Sequence, residues 1–399
     1  MKFGKTLASI VLAGTMALGA AGCEKPEPIK HTPQIYSPKA AIQPEKKQEF
    51  SYKDCKIAFI SDNQGEDSKS ADNKNKLWIM NADGSSKERL TESYTESAYP
   101  DWSPDGKKIL FISIRDNRRD IYCVNLDNKK TPKELISTGG KNLCPQWSSD
   151  GNQFAFVSNL AGGVSEICVS NLELGRINRF YQRTKGANAE GYMCWSPDGK
   201  KIAFIAHEDK NLEIKVMNAD GSELRSLTNH FGFETTFCWS PDSKRIAFTS
   251  YSREENPVRG EPDIYSINVD STGLQRLTSD PDIDTDPVYS PDGKKIAFTS
   301  YRDKKEYGYS TEIYVMNSDG SNQINLTKNG GDDDDPQWSP DGKKIAFVSG
   351  RIAKGESGLI SPKKIYIMDA DGNNVNLLTP TEGYKDSFLP RWSTMPSTK

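Results

Sequence analysis

Histidine is nearly absent, with only His31, His207 and His230 in 399 residues. None stands in a ligand-spaced pattern, which argues against a histidine-built metal or acid–base centre. No Cys-x-x-Cys occurs either, so the seven cysteines form no zinc or redox motif of recognisable spacing. A Gly-x-Ser-x-Gly nucleophile elbow is missing, and no stretch is left over for a hydrolase domain. Basic excess is missing as well. Against 52 Lys and Arg stand 55 Asp and Glu, a formal net charge of −3, and a groove for nucleic-acid phosphates would need the opposite balance. The one marked apolar run, Leu7 to Leu18, is too short to span a bilayer. No enzyme, no cofactor, no metal and no nucleic-acid partner is expected.

What the chain does have is repetition. Trp338-Ser339-Pro340-Asp341-Gly342-Lys343-Lys344-Ile345-Ala346-Phe347 recurs in close variants beginning at Trp102, Trp147, Trp195, Trp239 and Tyr289, with a truncated copy at Trp392-Ser393. Successive starts are 45, 48, 44, 50, 49 and 54 residues apart. A period of this size marks a repeat architecture. Each copy continues into an apolar strand ending in an acidic turn, as in Ile313 to Gly320, and then into a segment ending in Leu-Thr, as at Leu326-Thr327. Strand, tight turn, strand, variable loop, strand, tight turn, strand is the four-stranded meander of a propeller blade.

The turns have physical causes. In Ser-Pro-Asp-Gly, proline presets φ for a type I turn and glycine takes the left-handed position after it. In Asn81–Gly84 and Asn218–Gly221 the Asp-Gly pair does the same between the third and fourth strands. The periodic tryptophans read as packing between blades rather than as platforms for sugars.

The first recognisable strand, Lys56 to Ile60, has no Trp-Ser-Pro-Asp-Gly before it, and the last inner strand, Pro390 to Ser393, has no second strand after it. Joining them completes a blade from both ends of the chain and removes exposed sheet edges. Counting second strands at Ile57, Ile109, Phe154, Ile202, Ile246, Ile296 and Ile345 gives seven. The expectation is an all-β, seven-bladed propeller over residues 51–396.

Ahead of it, Lys2 and Lys5, the Leu7–Leu18 run and the small residues Gly19 to Gly22 read as a secretory signal peptide over residues 1–22. A small residue directly before Cys23 resembles the bacterial lipobox. That resemblance implies that Cys23 is lipidated and becomes the mature N-terminus, and Glu24 after it favours the outer membrane. Residues 23–50, rich in Pro, Lys, Glu and Gln, read as a solvated tether.

The Trp-Ser-Pro-Asp-Gly-Lys-Lys-Ile-Ala-Phe and Ile-Tyr-Val-Met-Asn-Ser-Asp-Gly strings together resemble the TolB-type propeller repeat over residues 51–396. The same repeat occurs in tricorn-like and prolyl-peptidase propellers and in oligogalacturonate lyase, so the resemblance implies the fold and only suggests a function. TolB itself carries an α/β domain and six blades; a tether and a seventh blade stand here instead. With the lipobox, the expectation is a monomeric, membrane-anchored lipoprotein of the periplasm, outer membrane or cell surface, and the repeat's resemblance suggests that it binds an envelope protein or peptide. The rival is a carbohydrate-active or ligand-sensing propeller, although oligogalacturonate lyases hold metal through several histidines.

Two groups of candidate binding residues follow from the blade pattern. Glu190, Glu234, Asp284, Asp286, Asp332, Asp333, Asp334, Asp335 and Asp386 all fall shortly before an inner-strand aromatic. A propeller would set them round the mouth of its channel, as a ring attracting a cation or a basic peptide. The long loops between second and third strands carry Tyr251, Arg253, Tyr301, Arg302 and Arg351, residue types expected of a protein-binding patch. Arg302 and Arg351 share one repeat position, so a structural ion pair is the alternative for them. Six cysteines beyond Cys23 permit disulfides in an exported protein, but several replace small buried residues, and no pairing is assigned.

Overall fold

The computed structural model describes residues 51–394, apart from 63–74, 92–95, 117, 128–130, 160–162, 172–179, 183, 185–188, 209–210, 230–231, 252–260, 306–307, 330, 352–361 and 380–385. The expected signal peptide, Cys23, the tether and Arg253 therefore lie outside the described residues. Seven four-stranded antiparallel sheets make up the body. Six are sequential meanders. In the remaining one, which we call blade one, the C-terminal strand Ser387–Trp392 pairs with Lys56–Ser61, followed outward by Lys76–Asn81 and Glu88–Arg89. The blade closed from both ends of the chain is as the repeat count requires.

Seven apolar clusters lie one at each junction between neighbouring blades, including the junction of blade seven with blade one. This explains why the second strands are continuously apolar instead of alternating: both faces are covered. Their two faces do different work. Ile345 and Phe347 pack toward blade six, while Ala346 between them packs toward blade one. The bulky residues fill one junction and the small alanine leaves room for the aromatic of the next blade. Four of the inner-strand tryptophans sit in that room with an indole N–H that reaches back to the preceding inner strand, while those of Trp147 and Trp195 take no such bond. Trp102 donates to the carbonyl of Arg391, Trp239 to Cys194, Trp338 to Val288 and Trp392 to Gln337, each at 3.1 Å.

The tight turns also join blades. In Ser-Pro-Asp-Gly the serine hydroxyl donates to the aspartate, at 2.6 Å for Ser339 and Asp341, and accepts the Lys344 N–H at 2.9 Å. The Asp-Gly glycines press on the preceding blade. Gly320 has φ of +88°, and a Cβ there would stand 2.8 Å from the Leu277 carbonyl oxygen. Gly106 has φ of +68° but open space, with its nearest neighbour at 3.8 Å. Gly320→Ala should therefore cost more, about 2–3 kcal/mol against about 1 kcal/mol for Gly106→Ala, because it adds a backbone clash to the strain of a left-handed residue. Urea midpoints of the two variants measure the difference; equal losses would show that the docking of the turn contributes nothing.

None of the six described cysteines forms a disulfide. Burial pushes Cys144, Cys168, Cys194 and Cys238 up to about 12, so they act as small buried side chains and not as nucleophiles.

Candidate functional site

The seven inner strands surround a central cavity of about 190 Å³ to which every blade that completes the ring contributes. Their shape there has a specific cause. Each inner strand carries a β-bulge, where its register against the second strand shifts, shortly before its aromatic residue. At the bulge Tyr99, Cys144, Asp286, Asp335 and Leu389 hold positive φ of 52°, 45°, 55°, 52° and 53°. An extra residue at a bulge re-aims its side chain, and these side chains line the cavity. Pro100, Pro145, Pro287, Pro336 and Pro390 follow directly. Proline has no N–H to leave unpaired, which suits the free edge of a sheet.

The lining is polar and unevenly charged. Asp286 and Asp335 come from neighbouring blades, and Tyr99 and Tyr192 stand on other inner strands. Burial raises the Asp286 carboxyl, and the charges of Asp335 and Asp334 raise it further. Burial also raises Asp335, against the pull of Arg391. Deeper lies Asp101, pushed up to about 7 by burial although it accepts the Trp147 N–H at 2.8 Å and feels the Arg391 guanidinium. Asp101 and Arg391 were not among the candidates read from the sequence. Both directly precede a periodic tryptophan, and the twofold alternation of a strand sets them on the same side as Tyr99 and Leu389. That alternation was the available signal.

The acidic ring separates into three groups. Asp286 and Asp335 line the channel. Glu234, Asp284 and Asp333 do not: they are fully buried, 0% exposed, inside the blades. Two residues after Asp284 and Asp333, Asp286 and Asp335 belong to the channel, because the bulge between them breaks the alternation that would otherwise keep both on one side. Asp332 and Asp386 stand just before their inner strands, and Asp334 lies within one. Asp334 pairs with Lys363 at 2.6 Å, Asp386 accepts the Lys363 N–H at 2.8 Å, and Asp332 accepts the Thr311 N–H at 3.4 Å. Glu190 belongs to the inner strand Ala189–Trp195, with its side chain outside the described residues.

Two arginines of the loop patch, Arg302 and Arg351, are held in ion pairs. Arg302 pairs with Asp284 at 2.7 Å and Asp280 at 2.6 Å, and its guanidinium lies 4.6 Å from the Tyr314 ring. Arg351 repeats the arrangement with Asp333 at 3.2 Å and Tyr366 at 4.6 Å. Arg115 holds the same repeat position in a blade whose inner strand carries Ser97 in place of that aspartate, and is exposed. Of the remaining loop candidates, Tyr251 is 41% exposed and Tyr301 is half-buried.

The buried carboxylates explain the Leu-Thr signature. At successive junctions the threonine hydroxyl accepts a backbone N–H of the third strand: Leu77 to Thr91, Ile214 to Thr228, Ile264 to Thr278 and Ile313 to Thr327, at 2.9 to 3.0 Å. It then donates to an acid opening that strand, as Thr228 does to Glu213 at 2.7 Å and Thr327 to Glu312 at 2.7 Å. The next blade brings its own buried acid against the same hydroxyl or its neighbours. Asp263 and Asp284 are balanced by Arg276 and Arg302, and Asp333 by Arg351. Among the described residues Glu234 is served by neutral groups, Ser250 at 3.0 Å and Thr228 at 3.4 Å, with Glu213 beside it. Burial, then the Glu213 charge, push Glu234 up to about 8.

Comparison with known proteins follows the architecture. The TolB beta propeller domain family matches residues 50–175 and 134–258. An uncharacterised protein of Agrobacterium fabrum is 30% identical over 173 residues, 41% of this chain and 56% of that protein. The Tol-Pal system protein TolB of Desulfosudis oleivorans is 30% identical over 125 residues, 31% of this chain and 27% of that protein. The chain thus spans about half or less of the length of these curated relatives. Among solved structures, TolB of Acinetobacter baumannii superposes with a TM-score of 0.55 at 23% identity, over 86% of this chain and 68% of that one. Oligogalacturonate lyase of Vibrio parahaemolyticus gives 0.56 at 15% identity, over 81% and 84%; at such identities both likenesses concern the fold alone. The repeat, the ring closed from both ends and the match across residues 50–258 agree, and the chain belongs to the TolB beta propeller domain family.

Proposed function

We propose that the protein is a non-catalytic envelope lipoprotein, anchored through Cys23 and working as a monomer, whose propeller binds a protein or peptide segment at the channel mouth. The observation that carries this reading is the cavity at the hub, where Asp286 and Asp335 stand side by side on neighbouring inner strands among Tyr99 and Tyr192. Carboxylates in a low-dielectric opening attract a cationic side chain and repel an anion, while tyrosines supply rigid contact area at small entropic cost. Among the described residues the lining holds no histidine, and its cysteine, Cys144, is held as a neutral thiol by burial, so no nucleophile with its base is assembled there. The envelope location rests on the expected lipobox and on the kinship with Tol-Pal system proteins.

The test compares the protein with an Asp286→Asn, Asp335→Asn double variant as bait for envelope extract, beside Arg302→Gln as a loop control. Envelope proteins retained by the parent and by the loop control, and lost with the double variant, are the expected result. A retained set that does not change when both aspartates are neutralised removes the channel from recognition.

A further inference from the structure

One junction differs from the other six. The inner-strand aromatic is tryptophan at 102, 147, 195, 239, 338 and 392, but Tyr289 stands between blades five and six. Tyrosine lacks the second ring of the indole and cannot make the 3.1 Å N–H bond to the preceding strand that Trp239 and Trp338 make on either side. Its own hydroxyl is buried without a hydrogen bond of acceptable geometry, although Arg245 stands near it, and the residue is 8% exposed. Beside it a cleft of about 370 Å³ opens between the tight turns of the two blades.

The cleft is lined by Tyr289, Arg245, Gln275, Asp242, Asp292 and Asp319 among others. In each aspartate one oxygen is committed to its own turn. Asp242 Oδ1 accepts Ser240 Oγ at 2.6 Å and Asp292 Oδ1 accepts Ser290 Oγ at 2.6 Å. Asp319 Oδ1 accepts the Ser321 N–H at 2.9 Å. These bonds hold the three carboxyls below the ordinary range, so they are ionised. Their second oxygens take no hydrogen bond from any described residue. Arg245 uses one nitrogen on Ser266 at 2.6 Å and keeps further N–H groups, and burial keeps the Tyr289 hydroxyl protonated.

We propose that this cleft is a binding site for a compact polyhydroxylated ligand, the size of a single sugar unit. The walls offer acceptors (the outward carboxylate oxygens) and donors (Arg245, Gln275 and the Tyr289 hydroxyl) within one small volume. A hydroxyl both donates and accepts, so a polyol can satisfy such a mixed lining, including the buried tyrosine hydroxyl that otherwise carries a desolvation cost. An anion meets three carboxylates, and an apolar ligand would strip them of water. A metal ion finds no cluster of three or more ligand-type side chains among the described residues. No lining residue is shared with the hub cavity, so the two readings stand or fall separately.

The experiment is saturation-transfer NMR on the full chain with D-glucose, D-glucosamine and D-galacturonate as probes, repeated on Tyr289→Trp and Tyr289→Phe. Tyr289→Trp restores the indole present at the other six junctions and fills the cleft; Tyr289→Phe removes only the hydroxyl and keeps the ring. Transfer to glucose and glucosamine but not galacturonate is expected. Affinity should fall at least tenfold in Tyr289→Trp and several-fold in Tyr289→Phe, whose result stands even if the larger side chain disturbs folding. No transfer to glucose or glucosamine, binding undiminished in Tyr289→Phe, or galacturonate bound as well as glucose would each overturn the assignment.

Discussion

Glu234→Gln should make the propeller more stable at alkaline pH and leave it nearly unchanged near pH 4.5. In the folded protein the Glu234 carboxyl is pushed up to about 8 from 4.5, first by burial and then by Glu213. Between those two values the folded state holds a proton that the unfolded chain has released. Stability from this group is therefore complete below about pH 4.5, is lost as pH rises, and is fully lost above about pH 8. At roughly 1.4 kcal/mol per unit, the loss is of order a few kcal/mol.

A glutamine keeps the shape, carries no charge, and can donate to the Glu213 carboxylate. The variant should gain about 2–4 kcal/mol over the parent at pH 8.5, read as a shift in urea midpoint with pH. Asp101 and Asp284, both pushed up to about 7, act in the same direction, so the variant's slope should flatten above pH 7 and not vanish below it. Parallel stability–pH curves for the two proteins would mean that the Glu213–Glu234 pair is relieved in some other way. Other junctions supply the contrast, because there an arginine balances the second acid.

Removing residues 387–399 should abolish the cooperative fold. The strand Ser387–Trp392 is the inner strand of blade one and bonds to three blades at once. Trp392 donates to Gln337 of blade seven, Arg391 accepts from Trp102 of blade two, and Ser393 exchanges bonds with Lys56 at 2.8 and 2.9 Å. Without it, Lys56–Ser61 becomes an open edge whose Ile57, Ala58, Phe59 and Ile60 are now fully buried. Such an edge is a template for aggregation. Loss of the thermal transition and of the monomer peak on gel filtration is expected, while Trp392→Ala, which leaves the strand in place, should cost about 3 kcal/mol. A truncated protein melting at the parent's temperature would show that the ring does not depend on its closing strand.

The fold was legible because each unit repeats its own punctuation. Ser-Pro-Asp-Gly and Asp-Gly set the turns through local φ preferences, and continuous apolar runs such as Lys-Ile-Ala-Phe announce strands covered on both faces. The binding surface was legible only in part. Nearness of Asp284 and Asp286 to Tyr289 placed both in one ring, yet one is 0% exposed and the other lines the channel. A run such as Asp332 to Asp335 shows four equal acids, whereas a bulged strand directs neighbouring side chains to different surroundings. For Arg302 and Arg351 the repeat position left a binding patch and an ion pair both open, and the acids at Asp284 and Asp333, brought across from the preceding strand, pair with them.

The sequence by itself determined the number of blades, their order and the closure from both termini, since these depend on local turn chemistry and on a count. Tertiary structure alone decided which polar groups meet solvent. Thr228 stands 15 residues from Glu213 and 6 from Glu234 along the chain, but the meeting of all three depends on how one blade is pressed against the next. So does the cleft beside Tyr289, a difference of one ring at one junction. Its consequence is a volume between blades, and volumes are set by packing, not by the order of residues.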